Sequence, residues 1–123
     1  MNAETPIMRE IRAALARTGR LRLWRNNTGK IHGWIVNPGT ERRRVDVDFG
    51  LGVGGADLVG IIVGPGRMFA VEVKTPVGKA SPDQLTWHRM IADAGGYVCF
   101  ATSATEALSH LERAVAGAVS PRP

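Results

Sequence analysis

The chain predicts an α/β fold in which a central mixed β-sheet is flanked by helices. Three observations predict it. Short apolar strand runs alternate with helical stretches that carry their own caps, in the order α, five β, then α, β, α. Two of the runs, Ala56–Val63 and Met68–Lys74, flank the turn sequence Gly64-Pro65-Gly66-Arg67 and so form an antiparallel hairpin. The closing β-α-β unit requires a parallel crossover, which makes the sheet mixed. A length of 123 residues gives room for one domain and one core. We place that domain at residues 1–119 and expect a disordered tail at 120–123.

Each element has a local cause. A first helix opens at Thr5-Pro6, a hydroxyl N-cap followed by proline at the first helical position, and Gly19 ends it. Ile7, Ile11, Ala14 and Leu15 recur at helical spacing and form its core face. Leu21–Trp24 is a strand, turned at Asn26-Asn27-Thr28-Gly29 into a second strand, Ile31–Val36. Asn37-Pro38-Gly39-Thr40 is the next turn signal. From Arg44 to Phe49 alternation is strict: Arg44, Asp46 and Asp48 take one side, Val45, Val47 and Phe49 the other, as in a half-exposed strand. The hairpin follows. With its turn centred on Pro65-Gly66, Val59 faces Glu72 and Asp57 faces Lys74. Ser81-Pro82-Asp83-Gln84 then starts a helix with a serine cap, a proline at the first position and a glutamine at the third. Gly95-Gly96 ends it, and Tyr97–Ala101 is the last strand. The final helix is capped by Ser103, with Glu106 three residues on, and packs through Leu108, Leu111, Val115 and Ala118.

Composition narrows the function classes. The net charge of +5 is the balance expected of a polyanion binder. Arginine supplies most of it, in Arg9, Arg12, Arg17, Arg20, Arg22, Arg25 and Arg42-Arg43-Arg44, and its planar fork suits phosphate. Cys99 is the only cysteine, so neither an intrachain disulfide nor a Cys-rich zinc site can be assembled; it reads as a buried strand residue. His32, His88 and His110 have no metal-ligand spacing. No stretch approaches the roughly 18 apolar residues of a membrane span, and the N-terminus has no secretory h-region. A cytoplasmic location with no membrane partner is expected. The run Gly50–Gly55 contains a superficial dinucleotide fingerprint, but that motif must follow a strand and open a helix. Here it precedes a strand, so no nucleotide cofactor is expected. It is either a loop bringing backbone N–H groups to phosphate or a plain linker. Gly78-Lys79-Ala80 lacks the upstream glycine and the Ser/Thr of a P-loop.

The chemistry concentrates in the hairpin. Side chains alternate along a strand, so Glu72 and Lys74 share a face. Asp57 then falls beside Lys74 and diagonal to Glu72, roughly 5–8 Å away by cross-strand geometry. Strands inside an α/β core prefer continuous apolar runs, and unpartnered buried charge is costly. Converging Asp and Glu are what Mg²⁺ needs, since that hard ion takes carboxylate oxygens. A lysine beside them can hold an attacking water and offset charge growing on a phosphorane. A plain Asp–Lys or Glu–Lys ion pair is the alternative.

Asp57 followed by Glu72-Val73-Lys74 resembles the PD-(D/E)XK nuclease signature, and more specifically that of the VRR-NUC family, the virus-type replication-repair nucleases. Trp24-Arg25-Asn26-Asn27-Thr28-Gly29 is similar to that family's aromatic-Arg-Asn-Asn-x-Gly segment, and Phe49–Gly60 to its glycine-rich approach to the metal-binding Asp. Ser81-Pro82-Asp83-Gln84 and Ala94-Gly95-Gly96 resemble its downstream helix. The matches run in order from about residue 4 to residue 111. Ala56 stands where the superfamily's name has proline, a position without chemistry. The resemblance implies a restriction-endonuclease-like PD-(D/E)XK fold. It implies a Mg²⁺-dependent DNA endonuclease, with Mn²⁺ substituting, that leaves a 5′-phosphate. Its substrate would be branched DNA such as a flap or Holliday junction, its form a homodimer, its place a bacterial or phage-infected cell.

The resemblance also assigns residues. Asp57, Glu72 and the Val73 carbonyl would hold the metal, and Lys74 would orient water and stabilise the transition state. Gln84 would reach that water or the scissile phosphate, where its own position also suits a capping box. A glutamate near the first helix would join the metal, Glu4 ahead of Glu10. Arg25, Asn26, Lys30, Arg44 and Lys79 are the candidate DNA contacts, with turn chemistry the alternative for Asn26 and surface pairing with Asp46 and Asp48 that for Arg44. A restriction-type endonuclease would need base-reading elements for which 123 residues leave little room. A catalytically silent DNA-binding module would be signalled by loss of Asp57, Glu72 or Lys74, and all three are present. An RNA binder would need interleaved aromatics, whereas Trp24, Trp34 and Trp87 are scattered.

Overall fold

Capping chemistry sets every helix start in the computed structural model, which describes residues 3–36, 38–39 and 41–123. Helix α1, Pro6–Arg17, begins where the Thr5 hydroxyl accepts the Met8 N–H at 3.2 Å. Helix α2, Pro82–Asp93, carries the full capping box between Ser81 and Gln84. Helix α3, Ala104–Val115, starts at Ser103, whose hydroxyl accepts from Glu106. The strands are β1 Leu21–Arg25, β2 Gly29–Ile35, β3 Arg43–Phe49, β4 Leu58–Ile62, β5 Met68–Val73 and β6 Tyr97–Ala101. Met1, Asn2, Asn37 and Thr40 lie outside the described residues, so the expected turn at 37–40 is seen only at Pro38 and Gly39.

The main sheet is mixed, in the order β1-β4-β5-β6, with β5 and β6 parallel and the other pairs antiparallel. The parallel pair is the crossover the sequence predicts, spanned by α2. One apolar layer joins α1 and α3 to the sheet through Ile11, Leu15, Leu58, Phe69, Val71 and Leu111. Met8 is buried there, with Ile7 at its margin. The other layer sets Trp87 of α2 against Ala56, Ala70 and Val98. Cys99 is fully buried, as expected, and burial raises its thiol well above the ordinary range.

Two expectations are corrected. The segment Asn26–Gly29 does not fold β2 back onto β1. Instead β1 pairs with β4, and β2 pairs with β3 in a separate two-stranded hairpin. The cause is Asn26, which ties the end of β1 to the entry of β4: its backbone N–H donates to the Asp57 carbonyl at 2.8 Å and its side-chain amide to the Ala56 carbonyl at 3.0 Å.

The β4–β5 hairpin also closes two residues earlier on its β4 side than expected. Ile62 and Arg67 close it, leaving a loop of Val63 to Gly66: the Ile62 N–H donates to the Arg67 carbonyl at 2.8 Å, and the Ile62 carbonyl accepts the Gly66 N–H at 2.9 Å. Gly64 and Gly66 supply the positive φ values, 101° and 72°, that the longer loop requires. The register therefore slips by two residues and Asp57 falls opposite Glu72 rather than Lys74, as the Leu58–Val71 pair dictates. A slip of two keeps every side chain on its face; a slip of one would have scattered the cluster.

The chain end is held as well. Ser120 accepts the Val98 N–H at 2.9 Å and donates to the Gly96 carbonyl at 3.0 Å, and the Pro121 carbonyl meets His88 Nε2 at 3.1 Å. The tail expected from residue 120 is thus tied down at its first two residues.

Candidate active site

Asp57 reaches its place through the glycine-rich loop before β4, and that loop is pinned. The Leu51 N–H donates to Asn26 Oδ1 at 3.1 Å, and Trp87 Nε1 donates to the Leu51 carbonyl at 2.8 Å. Gly54, at φ 79°, lies so close to the Asp83 carbonyl that a Cβ would collide with it. The loop is therefore packed on the start of α2 and serves to deliver Asp57 beside β5. There the Val73 N–H donates to Asp57 Oδ2 at 2.8 Å, which locks the carboxylate to the strand carrying Glu72 and Lys74.

Gln84 connects the rest. Its Nε2 donates to Glu72 Oε1 at 2.9 Å, and its Oε1 accepts from Lys74 Nζ at 2.7 Å and from the Ser81 N–H at 3.0 Å. Lysine can only donate, so the amide has one sensible orientation. The amide that completes the capping box is thus the same one that bonds Glu72 and Lys74. Lys74 Nζ stands 3.9 Å from Glu72 Oε1, so Gln84 holds the two apart as well as linked. The Glu–Lys ion pair of the plain alternative is therefore present, bridged by the Gln84 amide.

Asp57, Glu72, Val73 and Lys74 line one side of a cleft of about 390 Å³; Arg25, Asn26, Asn27 and Thr28 line another, and Thr5 and Met8 of the α1 start a third. Glu72 Oε2 is buried without a hydrogen-bond partner among the described residues. An orphaned carboxylate oxygen beside a second carboxylate and a main-chain carbonyl is an all-oxygen donor set, and it fits a hard divalent cation. No group of three or more His, Cys, Asp or Glu side chains converges among the described residues.

Burial, and then the Asp57 carboxylate, push Glu72 up to about 8, against the pull of the Lys74 ammonium. In the metal-free protein Glu72 thus keeps its proton over a range where the unfolded chain has lost it. The stability from this group is complete below the ordinary value of 4.5 and lost as pH rises through about 8. Denaturation in chelator should therefore find that wild type loses stability relative to Glu72→Gln across that window. Parallel pH profiles of the two proteins would contradict this.

The other candidates separate. Glu4 lies just ahead of α1 and is held by Arg12 at 2.6 and 3.1 Å, with Arg9 at 3.7 Å, and the Arg12 guanidinium keeps its carboxyl below the ordinary range. The structure does not gather Glu4 with Asp57 and Glu72, and Glu10 is exposed on α1. Arg25 lines the cleft. Asn26 lines it too, with its amide committed to the loop. Lys30 and Arg44 stand on the β2–β3 hairpin, 3.5 Å from Asp48 and 3.6 Å from Asp46 respectively, and Lys79 is exposed on the connection from β5 to α2. Sequence reading missed Asn27, Thr28 and Thr75 as cleft residues. The family-like segment from Trp24 to Gly29 contains the first two, and the third adjoins Lys74.

A mixed central sheet flanked by helices is the restriction-endonuclease-like architecture, and here paired carboxylates and a lysine stand at the end of its central hairpin. The chain belongs to the VRR-NUC family: the VRR-NUC domain matches residues 7–105 of its 123. Such a domain implies a nuclease with DNA as its substrate. None of the curated proteins matches the chain. No helix among the described residues is long and apolar enough to cross a membrane.

Proposed function

We infer that this nuclease is a divalent-metal-dependent endonuclease acting on branched DNA as a homodimer, with Mg²⁺ the working ion and Mn²⁺ able to replace it. One observation carries the reading: the polar chain from Lys74 through Gln84 to Glu72, whose Lys74 and Glu72 ends line an open cleft with Asp57. Asp57, Glu72 and the Val73 carbonyl would hold the divalent ion, which would supply Lewis-acid charge at the scissile phosphate. Lys74 orients the attacking water and offsets the negative charge that grows on the phosphorane. Water adds to phosphorus, the bond to the 3′ oxygen breaks, the water's proton leaves to solvent and the leaving oxygen is protonated. The products are a 5′-phosphate and a 3′-hydroxyl. Gln84 acts by positioning, holding Lys74 off Glu72, and Arg25 lies where the DNA backbone enters the cleft.

The homodimer draws support from the β2–β3 hairpin. A lone two-stranded hairpin is marginal in water, and this one bares an apolar face, with Ile31 59% and its partner Val47 52% exposed. A second copy covering that face would give the hairpin a core. Val47→Lys should halve the mass found by sedimentation; an unchanged mass would remove this surface from the dimer.

The test of the function is cleavage of labelled linear duplex, single strand, flap and four-way junction with Mg²⁺ or Mn²⁺. Cleavage of the branched DNAs that stops in chelator supports the reading. Binding without cleavage under every metal condition would favour the silent DNA-binding module.

A further inference from the structure

We propose that Trp24 is the stacking platform for an unpaired base of the DNA, seated beside the catalytic cleft. The inference rests on the nuclease reading above and specifies the kind of DNA. Leu21 and Leu23 of β1 point into the α1–α3 layer, so Arg22 and Trp24 lie on the α2 side of the sheet, opposite Ile61 and Val59. Helix α2 packs over β6 and leaves the β1–β4 half of that side open, with Trp24 58% and Ile61 47% exposed. Trp34 is exposed too, but the Arg42 guanidinium lies over its ring at 4.4 Å.

Trp24 forms one wall of a shallow hollow with Leu51, Val59 and Gly50, and the hollow shares Arg25, Asn26 and Asn27 with the catalytic cleft. The two thus adjoin the same stretch of chain, Arg25 to Asn27. Asn26, bonded to the Asp57 carbonyl, is two residues from Trp24. Two strand residues span about 7 Å, about two base-pair rises along one DNA strand. A strand with its phosphate at Asp57 thus brings a neighbouring base to the indole. A paired base is already stacked on both sides, so only an unpaired one can use the platform. Arg22, on the same face as the indole, and the net charge of +5 match a nucleic acid rather than an apolar protein surface.

The test is anisotropy titration of flap DNA and a duplex of equal length, with Ca²⁺ in place of Mg²⁺ to prevent cleavage. Trp24→Ala should weaken flap binding between about 5- and 150-fold, the range of one aromatic–base stack, and leave duplex binding unchanged. Trp24→Phe should recover most of it. A 2-aminopurine at the first unpaired nucleotide should be quenched by wild type and by Trp24→Phe, and not by Trp24→Ala. Flap binding indifferent to Trp24, or equal losses on flap and duplex, would overturn the platform. A fall in sedimentation mass with flap binding intact would overturn it too and assign the surface to a second copy. Wild type binding neither DNA would remove the nuclease reading itself, an outcome distinct from these.

Discussion

Lys74→Ala is expected to lower metal-dependent cleavage by about 10²–10³-fold, the cost of losing one preorganised donor to a developing oxyanion. The fold should survive. Lys74 is half-buried at the end of β5, its backbone N–H bonded to the Ala101 carbonyl at 3.0 Å, and that bond is kept by alanine. Metal binding should persist as well, since Asp57, Glu72 and Val73 are untouched. Single-turnover cleavage beside a Mn²⁺ titration separates the two quantities. A variant that cuts as fast as wild type would show that Lys74 only balances the charge of Glu72.

Asp57→Asn should act at the other step. Its side-chain oxygen can still accept the Val73 N–H, so the loop and hairpin keep their geometry. The anionic oxygen is gone. Outer-shell partners of a metal ligand are worth about 10–100-fold in affinity, so loss of a ligand itself should exceed about 100-fold. Calorimetry with Mn²⁺ should record that loss while the melting temperature of the metal-free protein changes little. Undiminished binding would move the metal away from Asp57.

The two variants bear on residues that the sequence placed with different success. Glu72 and Lys74 were legible because the period of a strand puts alternate residues on one face. Asp57 was legible for the same reason even though the register slipped by two, since side-chain period and slip are equal. The pairing of β1 with β4 was not legible, because it depends on Asn26 reaching Ala56 and Asp57, bonds across a long stretch of chain that local turn chemistry does not encode. Gln84 was half-legible. Its capping box is written in Ser81 to Gln84, but its bridge from Lys74 to Glu72 needs α2 to pack against β6. Glu4 was drawn toward the metal by resemblance, and Arg12 holds it elsewhere through a pairing that no helical spacing announces.

The most direct test of the central claim is a crystal soaked in Mn²⁺ and measured for anomalous scattering. The account predicts a peak about 2.0–2.6 Å from carboxylate oxygens of Asp57 and Glu72 and from the Val73 carbonyl, the range for hard cations on oxygen. A Mn²⁺ peak elsewhere, or none in a crystal whose cleft is open to solvent, would contradict it.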